Sequence, residues 1–247
     1  MQLYDRLSVF ADTVIHTHAS VVFLVGDDAF KLKKPVDFGF LDYSTLQKRG
    51  GYCLEEVRLN RRWSRGIYRG VVPVTDPASG GGFDGEGEPV EWAVVMVRYP
   101  EHSTLLATLE RGELSVETAE RVGTAIGAIH RSCPTSDLAR ENGSFEAVSR
   151  YFIANFDETV GSHWVPQTVH AALRRATEHD LSRTESLWRE RHGTHVRELH
   201  GDLRLEHVLL RDGRIDVVDT IEFSDALRCG DPVTDVAFLT MDLAVRG

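Results

Sequence analysis

The stretch RELHGDLRLEHVLLRDGRIDVVDTIEF, residues 197–223, holds the densest set of chemically capable side chains in the sequence. Its two short apolar runs are separated by Asp212-Gly213, a dipeptide typical of a tight hairpin turn. His200 and Asp202 precede the first run, and Asp219 follows the second. Loops and strand ends of this kind expose polar groups where they can converge on a ligand, so the pattern predicts a catalytic site here.

Phosphoryl transfer is a chemistry that these residues suit. It requires a carboxylate that orients and deprotonates the attacking hydroxyl, and ligands that hold Mg²⁺ across the phosphates. Asp202 suits the first task, with His200 beside it as a second catalytic candidate, and Asp219 suits the second. His207 is a further metal-ligand candidate; because Mg²⁺ prefers oxygen, it either weakens a second metal site or holds a phosphate instead.

The motif resembles a known family of kinases. His-Gly-Asp, a potential metal ligand five residues later and a strand ending in aspartate are similar to the catalytic loop and metal-binding segment of aminoglycoside phosphotransferases, choline kinases and, more distantly, protein kinases. These families usually have Asn where this chain has His207. The similarity extends over nearly all of the chain, to a group of phosphotransferase-like proteins called aminoglycoside phosphotransferase and ATP-binding proteins, through VVFLVGDDAFKLKKPVDFGFLDYSTLQKR, EEVRLNRR, IYRGVVPVT and IEFSDALRCGDPVTDVAFLTMDL.

The resemblance implies a two-lobed α+β fold of the protein-kinase type. A β-rich ATP-binding lobe is expected over residues 1–100 and a mainly helical catalytic lobe over 101–247. Local patterns favour the same division: strands at 20–25 and 29–33 around a Gly-Asp turn, a helix over 44–63 interrupted near Gly50-Gly51, two strands that bracket a flexible glycine-rich loop, and helices from Ser115, over 146–160 and over 170–189. The glycine-rich loop lacks the Lys-Ser/Thr ending of a P-loop.

The resemblance also implies an ATP site. The anchoring lysine is expected on the strand after the first hairpin, paired with a glutamate of the following helix. Lys31 and Lys33 lie on one face of that strand, and we favour Lys31, with Glu56 as its partner. No GxGxxG loop covers the phosphates, so Ser20 and nearby backbone amides are expected to bind them. The linker Met96-Val97-Arg98-Tyr99 is expected behind the adenine, and Asp231 and Asp235 are expected to brace the catalytic loop.

Composition limits the partners. The formal charge of −10, from 38 acidic and 28 basic residues, argues against a nonspecific nucleic-acid binder and would steer a cationic acceptor towards the protein. No apolar run long enough for a membrane span and no secretory signal is visible, so the expected location is the cytoplasm. Three scattered cysteines predict neither a disulfide framework nor a zinc cluster. The oligomeric state stays open.

Two other functions remain open at this stage. A nucleotide-binding pseudokinase or regulatory module would fit His207 in place of Asn and the missing glycine loop. A divalent-metal hydrolase would use His200, Asp202, His207 and Asp219, and would be active without ATP. In the similar families further helices follow the GDPxxDLA segment and often a P-loop domain as well, whereas here only MDLAVRG follows Thr240, so a shortened carboxyl-terminal lobe is expected. The resemblance implies that the acceptor is a hydroxyl of a small molecule, either an aminoglycoside or a sugar-like compound.

Overall fold

The computed structural model describes residues 3–246, which form an amino-terminal sheet region followed by a mainly helical region. The sheet region contains, in chain order, α1 (Leu3–Leu7), β1 (Thr13–His16), β2 (Ser20–Val25), β3 (Asp28–Lys33), α2 (Leu46–Trp63), β4 (Tyr68–Val74) and β5 (Glu91–Val97). The helical region contains α3 (Leu105–Glu110), α4 (Val116–Ser132), α5 (Asp137–Asn142), α6 (Phe145–Thr159), α7 (Gln167–His195), β6 (Arg197–Glu198), β7 (Val208–Arg211), β8 (Arg214–Val217), α8 (Asp225–Arg228), β9 (Cys229–Gly230) and α9 (Val233–Arg246).

The first five strands form one antiparallel sheet in the order β1-β2-β3-β5-β4. The β2–β3 hairpin turns at Gly26, whose φ of 55° lies in the left-handed region that favours glycine. Alternation along the strands separates two apolar layers. One layer, around Phe23 and Leu32, packs under α1; the other, around Ala29 and Val94, packs against α2. The residues 200–222 lie outside this sheet, as the two-lobed fold predicts.

Helix α2 is continuous, which corrects the predicted interruption near Gly50-Gly51. Thr45 caps it by accepting a hydrogen bond from the Lys48 N–H at 3.2 Å. Gly50 has a packing role instead: a Cβ at this position would lie 2.8 Å from Cδ1 of Trp92 on β5. The glycine therefore lets the helix approach the sheet closely, and the close approach brings the middle of α2 over the lysines of β3.

The glycine-rich segment between β4 and β5 is anchored rather than flexible, which is a second correction. Phe83 inserts into the outer apolar layer, where its ring stacks on that of Phe30 with centroids 4.4 Å apart. Gly82 and Thr75 are joined by hydrogen bonds in both directions. The loop is thus a cover for the outer face of the sheet, on the side away from α2.

The helical region begins after Pro100. Ser115 caps α4, and α6 and α7 pack on each other as a long hairpin. The β7–β8 hairpin pairs Val208 with Val217 and turns at Asp212-Gly213, as predicted. A second core cluster joins Trp63 of α2 to α4 and to this hairpin. Among residues 3–246 no helix combines the length and the apolar character required to cross a bilayer.

Candidate active site

Asp235 of α9 fixes the loop from His200 to Asp202 through hydrogen bonds. Its two carboxylate oxygens accept the N–H groups of His200 and Gly201, each at 3.0 Å, and Oδ2 also contacts Nε2 of His130 at 2.9 Å. Gly201 has a φ of 85°, and a Cβ there would lie 2.9 Å from the Leu227 carbonyl oxygen. The loop conformation is therefore specified by a glycine and a buried acid, as expected for Asp235.

Asp231 does something different from the predicted bracing. Its carboxylate makes a bidentate ion pair with Arg191 of α7, at 2.6 and 2.9 Å, and accepts the N–H of Val233 at the start of α9. The residue therefore joins two helices and caps one of them, and its side-chain hydrogen bonds do not involve residues 200–202. Sequence proximity to Asp235 suggested a shared role, but the two carboxylates point to different elements.

The side chain of His200 is fully buried, and its assignment as a catalytic residue stays a prediction. Its Nε2–H donates to the Val218 carbonyl oxygen at 2.8 Å, and its Nδ1 accepts the Asp202 N–H at 3.3 Å. Burial, and then the neighbouring His207, lower the pKa of His200 from 6.5 to about 4. A neutral imidazole with both nitrogens used by the main chain positions Asp202 and the strand end and leaves no nitrogen for a metal or a substrate.

Asp219 follows β8 in an uncommon backbone conformation, with a φ of 64°. Its N–H donates to the hydroxyl of Tyr68 at 3.1 Å, and the next N–H, of Thr220, donates to the side chain of Asn60 at 3.0 Å. Two side chains of the sheet region thus hold this bend in the helical region. The Asp219 side chain remains 48% exposed.

Lys31 joins β3, α2 and the Asp219 bend. Its ammonium lies 2.9 Å from Oε1 of Glu56 and 2.5 Å from Oδ1 of Asp219. Burial lowers the pKa of Lys31, but Asp219 and Glu56 more than compensate and raise it well above its ordinary value. Burial likewise opposes the charge of Asp219, yet Lys31 holds the pKa of that carboxyl below its ordinary value. All three groups are therefore charged at neutral pH, and the geometry pairs the lysine and the glutamate that the sequence favoured.

Lys33 is more deeply buried than Lys31, because its side chain is only 1% exposed. Its ammonium contacts Oε2 of Glu56 at 2.7 Å and also pairs with Glu222, which accepts from the Tyr43 hydroxyl. Burial works against the charge on Lys33, but Glu222 and Glu56 raise its pKa well above the ordinary value. Glu56 therefore contacts both lysines, and the role of Lys33 in binding ATP stays a prediction.

Asp202 and His207 lie close to Asp219 in the helical region. The Asp202 carboxylate is 31% exposed and lies 3.1 Å from the Arg204 guanidinium, which also contacts Glu206 at 2.8 Å. His207 is joined to the same loop, because its Nδ1–H donates to the Asp202 carbonyl oxygen at 2.7 Å. The other nitrogen, Nε2, faces Oδ2 of Asp219 at 3.9 Å. Asp202, His207 and Asp219 thus border one surface.

Ser20 and the linker are the two remaining sequence-based candidates. Ser20 is 4% exposed, and its N–H donates to the Thr17 hydroxyl at 2.9 Å, so this amide already closes the β1–β2 turn. In the linker the N–H groups of Val97 and Arg98 donate to Ile67 and Asp27, each at 2.8 Å. The contacts of Ser20 with phosphate and of the linker with adenine stay predictions.

Three residues of the site escaped the sequence-based prediction: Arg204, Tyr43 and Tyr68. Arg204 lies two residues from Asp202, so its proximity was a usable signal. The others act across long separations, since Tyr43 and Glu222 are 179 residues apart and Tyr68 and Asp219 are 151 apart. No local pattern marks such contacts. The buried partner groups become visible only when both regions are in place.

Comparison with known sequences gives related proteins but no activity. Uncharacterised proteins of Mycobacterium tuberculosis and Mycobacterium bovis are 34% identical to this chain over 241 residues, which cover 95% of the chain and 46% of each relative. The chain therefore spans about half the length of the curated relatives it matches. No family model matches the chain.

Comparison with solved structures identifies the fold. A choline/ethanolamine kinase family protein from Mesorhizobium loti superposes with a TM-score of 0.53 at 17% identity, over 94% of this chain and 65% of that one. A glucosamine kinase in complex with glucosamine, ADP and inorganic phosphate gives a TM-score of 0.48 at 20% identity, over 95% and 56% of the two chains, and adds nothing to the first likeness. The chain has the α+β protein-kinase-like fold, which confirms the resemblance stated from its motifs.

Proposed function

We propose that the chain is the nucleotide-binding and catalytic part of an ATP-dependent kinase that phosphorylates a hydroxyl of a small molecule. The observation that carries the proposal is Lys31, whose one ammonium contacts both Glu56 of α2 and Asp219 after β8. A cation anchored by a helix glutamate and aimed at an acidic bend is an arrangement suited to triphosphate oxygens. Displacement of Asp219 by phosphate would leave the lysine paired with Glu56.

Asp202 is proposed as the catalytic base. Its carboxylate is accessible, and its backbone is fixed through His200 and Asp235, so it can orient an acceptor hydroxyl without moving. Arg204 beside it supplies positive charge at the place where the transferring phosphoryl group would lie. The geometry disfavours the hydrolase alternative, because that function would use His200 as a metal ligand.

Asp219 and His207 are the residues proposed to hold the divalent cation. Their facing atoms, a carboxylate oxygen and an imidazole nitrogen, are 3.9 Å apart, a separation that fits a bound ion between them. When bound, such a cation supplies charge neutralisation for the phosphates. Among residues 3–246 no cluster of three or more acidic, His or Cys groups is arranged for a metal, and a nucleotide would therefore complete the coordination.

The acceptor class follows from charge. An excess of ten negative charges favours a cationic acceptor, and the fold is shared with a choline/ethanolamine kinase family protein. Hydroxylated amines are therefore the first substrates to test: choline, ethanolamine, amino sugars and aminoglycosides.

The test separates binding from chemistry. Asp202→Asn is expected to keep ATP affinity and lower transfer about 10²–10⁴-fold, because a general base acts on the transition state. Asp137→Asn, at an exposed carboxylate of α5, is the matched control and should change neither quantity. ATP affinity by calorimetry and ADP release with the acceptor panel are the measurements. Binding without turnover on any acceptor would favour the pseudokinase alternative, and turnover unchanged in Asp202→Asn would remove this residue as the base.

A further inference from the structure

The imidazole of His207 is held so that its Nε2 faces Asp219. Its Nδ1 lies 2.7 Å from the Asp202 carbonyl oxygen, and a carbonyl only accepts, so Nδ1 carries the hydrogen. In the neutral ring Nε2 then presents its lone pair. The ring is 8% exposed and packs 5.6 Å from the ring of His200, which fixes its plane. A metal-binding histidine is typically oriented in this way, by donation from its other nitrogen to a backbone carbonyl.

Nε2 faces the carboxylate oxygen of Asp219 that does not contact Lys31. Oδ1 of that carboxylate contacts Lys31, whereas Oδ2 lies 3.9 Å from Nε2. This separation is too long for a hydrogen bond. It is shorter than twice a metal–ligand bond of about 2.1 Å, so one cation can contact both atoms. Glu206 lies on the same side, with its Oε1 3.8 Å from Nε2, but it is paired with Arg204.

Resting on the proposed nucleotide site, we propose that its cation is coordinated by one nitrogen and one oxygen, His207 Nε2 and Asp219 Oδ2, and that the site therefore prefers a first-row transition-metal ion to Mg²⁺. Mg²⁺ is a hard cation that favours oxygen ligands and near-ideal octahedral geometry. Imidazole binds borderline ions more strongly, and a carboxylate accepts both kinds. The expected preference follows from the chemical type of the two ligating atoms, one nitrogen and one oxygen.

Mn²⁺ is the probe, because its unpaired electrons report directly on bound nitrogen. The protein is prepared with ¹⁵N-histidine and mixed with Mn²⁺ and a non-hydrolysable ATP analogue, and pulsed electron paramagnetic resonance measures the ¹⁵N coupling. Wild type and the control His179→Asn, at an exposed position of α7, should show coupling to one nitrogen. His207→Asn should show none while still binding the analogue. Absence of the coupling in wild type overturns the proposal without requiring any variant to fold.

Relative affinity is the second readout. Calorimetry with the analogue measures the ratio of Mn²⁺ affinity to Mg²⁺ affinity. This ratio should be at least about tenfold larger for wild type than for His207→Asn, since Asn restores an oxygen ligand. Equal preference in both proteins contradicts the proposal. The proposed function fails separately: Mn²⁺ alone giving the nitrogen coupling, with no binding of the analogue, would support the metal site and reject the nucleotide site.

Discussion

Lys31 and Lys33 are two residues apart on β3 and contact the same glutamate, yet their surroundings differ. Lys31 contacts Asp219, and its side chain is 14% exposed. Lys33 is instead enclosed by Glu56, Glu222 and Tyr43. Strand periodicity placed both on one face but carried no information on depth. Depth depends on α2 and on residues 219–222, which come from distant parts of the sequence.

The two lysines should therefore separate function from stability. Lys31→Met is expected to weaken ATP binding with a modest effect on folding. Lys33→Met should destabilise the fold by about 3–5 kcal/mol, because it leaves the buried Glu222 carboxylate without its cation and removes one of the two cations that contact Glu56. Lys48→Met, at a lysine of α2 that is 46% exposed, is the control for loss of a charge. Urea unfolding and calorimetric ATP binding measure the two effects; equal destabilisation by both β3 variants would contradict the assignment.

His200 predicts a pH dependence of stability. Its pKa is about 4 in the fold and 6.5 in its ordinary state, so the unfolded chain binds the proton more readily. Stability from this group is complete above the unfolded pKa and is lost as the pH falls from about 6.5 towards 4, by about 3 kcal/mol. His207, Asp235 and Asp219 are the charged or titratable groups that act on the pKa of His200. The difference in slope between wild type and His200→Gln isolates the histidine, and identical slopes would contradict this account.

At the scale of elements, α2 shows what sequence patterns miss. The turn at Gly26 is a local feature and lies where the sequence predicts it, whereas the helix cap is Thr45, one residue after the predicted helix start at residue 44. The Gly50-Gly51 pair predicted a break because glycine is a weak helix former. The reason for Gly50 is Trp92, 42 residues later, and a contact of that kind leaves no local trace. Phe83 similarly anchors a loop whose composition indicated flexibility.

The two glycines give a matched pair of variants. Gly51→Ala should stabilise the protein by up to about 1 kcal/mol, because alanine is the better helix former and a Cβ there meets no atom within 4 Å. Gly50→Ala should instead destabilise it by about 1–3 kcal/mol, because its Cβ would lie 2.8 Å from Trp92. Thermal and urea unfolding measure both values. Stabilisation by both substitutions would show that α2 does not pack on Trp92 as described.

For the whole molecule, the predicted division at residue 100 stays a prediction, and the packing crosses it. The cluster beside α2 combines Ala29 and Val94 with Leu209 and Val218. The second cluster combines Trp63 of α2 with residues from the helical region. The motifs predicted two lobes correctly as a fold, but motifs describe separate segments and cannot report which apolar surfaces those segments share. Buried pairs such as Lys33 with Glu222 add charged contacts across the same boundary.

This shared packing predicts that residues 3–246 unfold in one cooperative step. Separating the regions would expose both apolar clusters and leave the buried lysines and glutamates without partners, so a state with one folded region should be poorly populated. Urea unfolding followed by tryptophan fluorescence and by far-ultraviolet circular dichroism should give coincident transitions, and the calorimetric and van't Hoff enthalpies should agree. A fragment of residues 1–100 should lack near-ultraviolet dichroism and bind a hydrophobic dye. In the full chain, Leu209→Ala should lower the midpoint of the urea transition by the same amount in fluorescence and in circular dichroism. Two separate transitions, or a fragment with native-like dichroism, would show that the amino-terminal lobe folds independently and that the shared clusters contribute little to its stability.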